Sequence, residues 1–255
     1  MVLAVDIGNT NIVVGCFEGE RILFTERMST EHSATVLEYT VLIRTVLELN
    51  GIADCEFEGG ILSSVVPPLT AVVREAVERI AHIVPLTVGA GIKTGLKIQL
   101  DDPAALGSDR VADAVAASNL YPTPVITVDM GTATTISVVD SSHTFLGGLI
   151  IPGVRVALDS LSSRASQLPV ISLEPPKKII AKNTVDCMKS GIIYHTASGI
   201  DGVIDRIEEE LGERCTVVAT GGNSSRVIPY CRHSIIHDEQ LLLKGLMLIY
   251  RKNQK

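Results

Sequence analysis

The apolar positions of the chain fall into two periods. Val2–Val5, Ile12–Phe17 and Arg21–Arg27 carry the short apolar or alternating runs of strands, with Gly19-Glu20 as a hairpin turn between the second and third. From Ser33 to Leu49 the spacing changes, and Val36, Tyr39, Ile43, Val46 and Leu47 fall roughly on one side of a helix. Gly60–Val66 predicts a strand stopped by Pro67-Pro68, Leu69–His82 a helix, and Ala104–Leu120 a second helix rich in Ala and Val. Pro124–Asp129, Thr134–Val139 and Thr144–Ile150 predict further strands. Thr184–Leu211 is a long helical region with Gly191, Gly199 and Gly202 as points where it could bend, Thr216–Thr220 is a strand, and Asp238–Tyr250 a final helix. Leu168–Lys178, with its three prolines, is the most loop-like stretch. Strands interleaved with helices throughout predict an α/β architecture with helices covering sheets.

The pattern repeats itself once. Val5-Asp6-Ile7-Gly8-Asn9-Thr10 and Val128-Asp129-Met130-Gly131-Thr132-Ala133-Thr134 both run from an apolar strand through Asp, an apolar residue and Gly into polar residues and a new strand. The two copies sit near the starts of the two halves of the chain. Two half-domains of one design, 1–120 and 121–255, are therefore expected to face one another across a cleft, each offering an Asp-x-Gly turn.

Composition narrows the classes. At 255 residues the chain buries a core without disulfides or metals, and 46% apolar against 20% charged residues marks it as globular. With no Trp and 4% aromatics, that core must be aliphatic. A net charge of −7 argues against a nucleic-acid surface, which needs a basic stripe. It leaves open an anion site made from backbone N–H groups. No run approaches the ~18 apolar residues of a membrane span, and the N-terminus lacks the basic region of a signal peptide, so a soluble, cytoplasmic location with no membrane partner is expected. The five cysteines form no CxxC pair and the six histidines no HExxH pattern; they predict reduced, packing thiols, Cys16 among them, and no protein-built zinc site.

A glycine after a strand lets backbone N–H groups approach a ligand closely, and successive N–H groups form an anion-binding concavity. Asn9, Thr10, Thr132 and Thr134 add donors suited to phosphate. The preceding carboxylate would repel phosphate directly but can hold a cation beside it. One Asp-x-Gly is usually only a tight turn; the repetition with the same carboxylate and hydroxyls raises the phosphate reading. No GxxxxGK[ST] loop is present. Paired turns of this kind resemble those of the acetate and sugar kinase/Hsp70/actin superfamily, which implies two duplicated, ribonuclease H-like half-domains around a central nucleotide cleft. Ala219-Thr220-Gly221-Gly222-Asn223, between a strand and a helix, is similar to that superfamily's adenosine element.

Phosphoryl transfer also needs a positioned acceptor and usually a carboxylate to take its proton. Gly107-Ser108-Asp109-Arg110, at a helix start, is the best candidate, with Asp109 as base. Arg110 could fix a substrate carboxylate, fix Asp109 or steady a phosphate. The plainer reading of Asp109 is an acid that complements the helix dipole. Asp113, one turn on, could orient Arg110 or sit in solvent. His195 reads as a packed or surface residue, Lys177-Lys178 as a solvated loop, and Glu208-Glu209-Glu210 as an exposed helix face.

Taken in order, DIGNTN, GSDR, DMGTATT, LGGLIIPG, KNT and TGG resemble the type III pantothenate kinase family over essentially the whole chain. The resemblance implies ATP-dependent phosphorylation of pantothenate, the first step of coenzyme A synthesis. It implies a divalent cation, magnesium, with the nucleotide, a potassium or ammonium ion, and a homodimer. Position by position it implies that Asp6, Ile7, Gly8, Asn9, Thr10, Asn11, Ile12 and Val13 cradle the phosphates, with Asp6 on the cation side. Gly107, Ser108, Asp109 and Arg110 form the substrate loop with Asp109 as proton acceptor. Asp129 holds the monovalent cation, Thr132 contacts ATP, Gly221 and Gly222 line the adenosine side, and Thr184 contacts pantothenate from its own or a neighbouring subunit. Three positions depart from the family's pattern: Leu100 where a substrate-contacting Tyr is common, Asp102 for Asn, and Ala181 for Gly. Losing the Tyr hydrogen bond would cost acceptor affinity on the order of 1 kcal/mol. Two other readings stand beside the kinase: a non-catalytic regulator on the same scaffold, and a superfamily kinase for another hydroxyl or carboxylate acceptor.

Overall fold

A computed structural model describes residues 1–254. In chain order the elements are β1 (Val2–Ile7), β2 (Asn11–Glu18), β3 (Arg21–Ser29), α1 (Val36–Leu49), β4 (Gly59–Ser64), α2 (Pro67–Ala81), β5 (Leu86–Thr87) and β6 (Lys97–Ile98). After a short turn of 3-10 helix at Pro103–Ala105 come α3 (Ser108–Leu120), β7 (Val125–Met130), β8 (Ala133–Val139), β9 (Thr144–Pro152), α4 (Val154–Arg164) and α5 (Thr184–Leu211). The chain finishes with β10 (Thr216–Thr220), α6 (Ser224–Val227), β11 (Ile236–His237) and α7 (Leu241–Lys252). The chain divides into two compact units. Unit one holds Met1–Gly95, Asp101–Ala116 and Leu241–Lys255; unit two holds Leu96–Leu100 and Ala117–Gln240. The C-terminal helix thus belongs to the first unit.

The sheet of unit one has strand order β3-β2-β1-β4-β5. β1 is antiparallel to β2 and parallel to β4. Alternation along β1 sends Leu3, Val5 and Ile7 into a core closed by α1 and α2, through Tyr39, Ile43, Leu47, Leu69, Val73 and Val77. The opposite face, which carries Val2, Ala4 and Asp6, is crossed by α7. A side chain at Gly15 or Gly59 would collide with Leu243 or Tyr250, and one at Gly245 would enter the α3 backbone at Ala112. The helix expected over Ser33–Leu49 begins at Val36, because Thr35 and Glu38 cap each other's backbone N–H groups. Pro67-Pro68 does more than stop β4. The pair starts α2, where a missing N–H costs nothing.

Unit two repeats this plan. Its sheet runs β11-β10-β7-β8-β9-β6, so β9-β8-β7-β10-β11 matches β3-β2-β1-β4-β5 strand for strand, with β6 added at the edge. β7 is antiparallel to β8 and parallel to β10, as β1 is to β2 and β4. Ile126, Val128 and Met130 face a core made with α4 and α5 through Val154, Leu158, Ile193, Ala197, Ile200 and Ile204. α5 runs as one helix across all three of its glycines. The sequence pattern had no place for α4. It follows Pro152-Gly153, which signals a turn, and only Val154 and Leu158 on it are fully buried. Leu168–Lys178 carries no helix or strand, and Cys16 is part of the core, as expected. Among the described residues no helix is long and apolar enough to cross a membrane.

Candidate active site

In both units the turn aspartate is the penultimate residue of its strand. It points to the face away from the helix pair that closes the core. Asp6 pairs with Val13 on β2 and with Ser63 on β4; Asp129 pairs with Thr135 on β8 and with Thr220 on β10. Asp6 is 7% exposed. Beyond it the backbone tightens, with Gly8 donating its N–H to Asn11 O at 3.0 Å. Thr30, just past the end of β3, braces the turn: its hydroxyl donates to Gly8 O at 2.7 Å and its N–H to Thr10 O at 3.0 Å. Asn9, Thr10 and Asn11 are exposed and Gly8 and Val13 partly so, whereas Ile7 and Ile12 are buried. Those two isoleucines can meet a ligand only through their backbone.

Next to Asp6, on the same face of the sheet, β4 receives the N-terminus of α3. Ser63 donates its hydroxyl to Ser108 Oγ at 2.9 Å, Ser64 donates its N–H to the same oxygen at 3.0 Å, and Ser108 donates to Ser64 O at 3.0 Å. The Ser108 hydroxyl therefore has its donor and both acceptor positions engaged. It anchors the start of α3 to β4. Asp109 follows in the first turn of α3, its carboxylate accepting the Arg110 N–H at 2.7 Å. Gly107 makes room for it, since a side chain there would meet the Asp109 carboxylate. Burial pushes the Asp109 carboxyl above the ordinary aspartate range, opposed in smaller measure by hydrogen bonding to and the charge of Arg110. Burial likewise draws Arg110 down, with Asp109 pushing back. Asp113 is 2% exposed, which removes the solvated reading of that residue. Asp102 caps the short turn before the loop by accepting the Ala104 N–H at 3.0 Å.

In unit two the second turn is fixed by backbone against backbone. Gly221, at φ +88°, lies so close to Asp129 and Met130 that any side chain would strike the Asp129 carboxylate and the Met130 backbone. Asn223 donates its N–H to Met130 O at 3.2 Å, joining the Gly-Gly element to the turn. From the other side Gly153 donates to Thr132 O at 3.1 Å, with no room for a Cβ. Thr132 is exposed, Gly222 is exposed, and Asp129 and Gly221 are partly so. Thr134 does not join them. Its side chain is fully buried on the core face beside Ile136 and Val138, so it is no phosphate donor, contrary to expectation. The sequence reading assigned no role to Ser63, Thr30 or Gly153. Gly153 alone left a trace, as the last residue of LGGLIIPG.

Thr184 is the first residue of α5, behind the cap that Asn183 supplies to Asp186 N–H. It opens an apolar groove of about 490 Å³ between α4 and α5, whose lining includes Leu161, Cys187 and His195. His195 is exposed, as are Lys177 and Lys178.

A family model described as type III pantothenate kinase matches residues 2–206. The chain is 41% identical over 256 residues to a type III pantothenate kinase of Exiguobacterium sp., covering 100% of each. Among solved structures, the (R)-2-hydroxyglutaryl-CoA dehydratase component A of Acidaminococcus fermentans superposes with a TM-score of 0.59 at 15% identity, covering 99% of both chains. A ROK hexokinase of Thermus thermophilus superposes at 0.55 and 14%, covering 97% of both. These distant likenesses establish the fold: α/β with two mixed sheets, of the acetate and sugar kinase/Hsp70/actin type. Sequence and fold together place the chain in the type III pantothenate kinase family.

Proposed function

We infer that the protein transfers the γ-phosphoryl group of ATP to the hydroxyl of pantothenate, the first step of coenzyme A synthesis. The observation that carries this reading is the arrangement in unit one: a half-buried Asp109 at the start of α3, whose neighbour Ser108 bonds the sheet face that carries Asp6, beside an exposed glycine turn. The pantothenate hydroxyl attacks in line and Asp109 takes its proton late, so catalysis is mainly positioning and charge neutralisation. Asp6 through Val13 hold phosphate oxygens, largely by backbone N–H groups, and Thr132 adds a hydroxyl from the second turn. Gly221 and Gly222 lie on the adenosine side. Gly107 and Arg110 contact pantothenate, with Arg110 suited to its carboxylate.

Among the described residues no group of three or more His, Cys, Asp or Glu could hold a metal ion by itself. That fits a magnesium ion carried chiefly by phosphates and water, with Asp6 as its protein carboxylate. Asp129 is the carboxylate for potassium or ammonium. Both ions supply positive charge against the phosphates as charge develops in transfer.

A homodimer suits the surface around Thr184, where Val156, Leu161, Ile179, Ile180 and Val185 are all exposed apolar residues. Thr184 then contacts pantothenate across that interface. A cytoplasmic location suits five unpaired cysteines. Leu100 favours one second reading, a different acceptor, because it sits half-buried against Gly147 and offers no hydrogen bond. One experiment separates the two. The protein is incubated with ATP, magnesium and potassium, and with pantothenate beside other small alcohols, and products are identified by mass. Phosphopantothenate is expected; phosphorylation of another alcohol alone would overturn the assignment.

A further inference from the structure

We propose that Ser63 is a positioning residue for phosphoryl transfer: from β4 it locks the first turn of α3, and with it Asp109, in fixed register to the Asp6 turn. This rests on the kinase reading above. Ser63 is fully buried and sits directly opposite Asp6 in the parallel β1–β4 ladder. Paired residues of neighbouring strands share a face, so the hydroxyl that Ser63 offers Ser108 at 2.9 Å leaves the sheet beside the Asp6 carboxylate. Ser108 immediately precedes Asp109. The path from phosphate-side carboxylate to proton acceptor is thus one strand pairing, one hydrogen bond and one peptide unit.

The geometry distinguishes this role from ordinary capping. A cap residue bonds the N–H groups of its own helix's first turn. Ser108 instead spends its whole hydrogen-bonding capacity on a strand 44 and 45 residues earlier in the chain. Two of its bonds go to the backbone of Ser64; only Ser63 contributes a side chain. Removing the Ser63 hydroxyl leaves the Ser64 bonds and the fold in place while loosening the lateral hold on α3. Displacement of a catalytic group by a fraction of an ångström is costly, because effective molarity falls steeply with misalignment.

The test uses the full chain as Ser63→Ala, Ser63→Thr, Ser108→Ala and the Ser63→Ala/Ser108→Ala double variant. Melting curves are recorded, and kcat and both KM values are measured well below each transition. Ser63→Ala is expected to lower kcat about tenfold with the KM for ATP within about twofold of wild type. Ser63→Thr, which keeps the hydroxyl, restores most of it. The double variant is expected to lose no more than Ser108→Ala alone, since that variant already removes the bond from Ser63. Unchanged kcat in Ser63→Ala, no rescue by Thr, or additive losses in the double variant would each overturn the proposal. Wild-type protein that phosphorylates another alcohol but not pantothenate refutes the substrate assignment alone, and the same comparison is then made with that alcohol. No turnover with any acceptor overturns both.

Discussion

The two Asp-x-Gly turns share a strand order and an orientation, yet they are held in opposite ways. The first is braced by hydroxyls: Thr30 clasps Gly8, and Ser63 and Ser108 tie the neighbouring strand to α3. The second is braced by the absence of side chains, with Gly221 and Gly153 pressed against its backbone from two sides. Hydroxyl bracing leaves space beside the turn, and in unit one α3 brings Asp109, the proposed base, to that side of the sheet. Glycine bracing fills the space with backbone. On the kinase reading proposed above, this would divide the duplicated design, with the proton acceptor Asp109 on the side of the first copy and the monovalent-cation carboxylate Asp129 in the second.

The sharpest way to break this division is to exchange the roles of the carboxylates. Asp109→Asn is expected to lose at least about a hundredfold in kcat whatever cation is added, measured by product formation. Asp129→Asn is expected to raise the potassium concentration needed for half-maximal rate; wild-type protein working equally well in sodium alone would remove that role. Asp109→Asn also carries a stability prediction. Because burial raises the Asp109 pKa, the native state holds that proton to higher pH than the unfolded chain. Its contribution to stability is complete below the unfolded aspartate pKa and is lost as pH rises through the raised value. At neutral pH the variant should therefore melt no lower than wild type, and any gain should vanish in acid. A variant that melts lower at pH 7 would show the carboxylate to be stabilising.

The bracing itself is tested next. Gly221→Ala forces a Cβ into a positive-φ position against Asp129 and should cost on the order of 2–3 kcal/mol, visible as a lowered Tm. Thr30→Val removes one hydrogen bond and should cost about 1 kcal/mol. Equal losses would erase the contrast between the two turns. The smallest effect belongs to Leu100→Tyr, expected to lower the KM for pantothenate by about fivefold if the added hydroxyl finds the acceptor.

Much of the comparison was visible in the sequence. The alternation of Leu3, Val5 and Ile7 against Asp6 already sets the carboxylate on the side away from the core, and the echo at Asp129 predicts the duplicated sheets. Thr184–Leu211 declared itself over its full length because its apolar residues keep helical spacing across its three glycines. What stayed hidden depends on distant partners. Ser63 and Ser108 are ordinary serines until β4 and α3 are side by side. Gly153 looks like a turn residue until Thr132 O is found against it. Thr134 resembles its neighbour Thr132 in composition and differs only in the face it takes. Nothing within α7 states which sheet it covers.

That placement of α7 has a consequence for the order of events during synthesis. The face of unit one that carries Asp6 is backed by a helix translated after both turns, the acceptor loop and all of unit two. The side of Ala112 that packs on Gly245 stays uncovered until α7 exists. Unit two is continuous from Ala117 to Gln240 apart from its short β6 segment, and can close while still tethered. The sheet face of unit one beside Asp6 is therefore the last to be covered, once Leu241–Lys252 has been made.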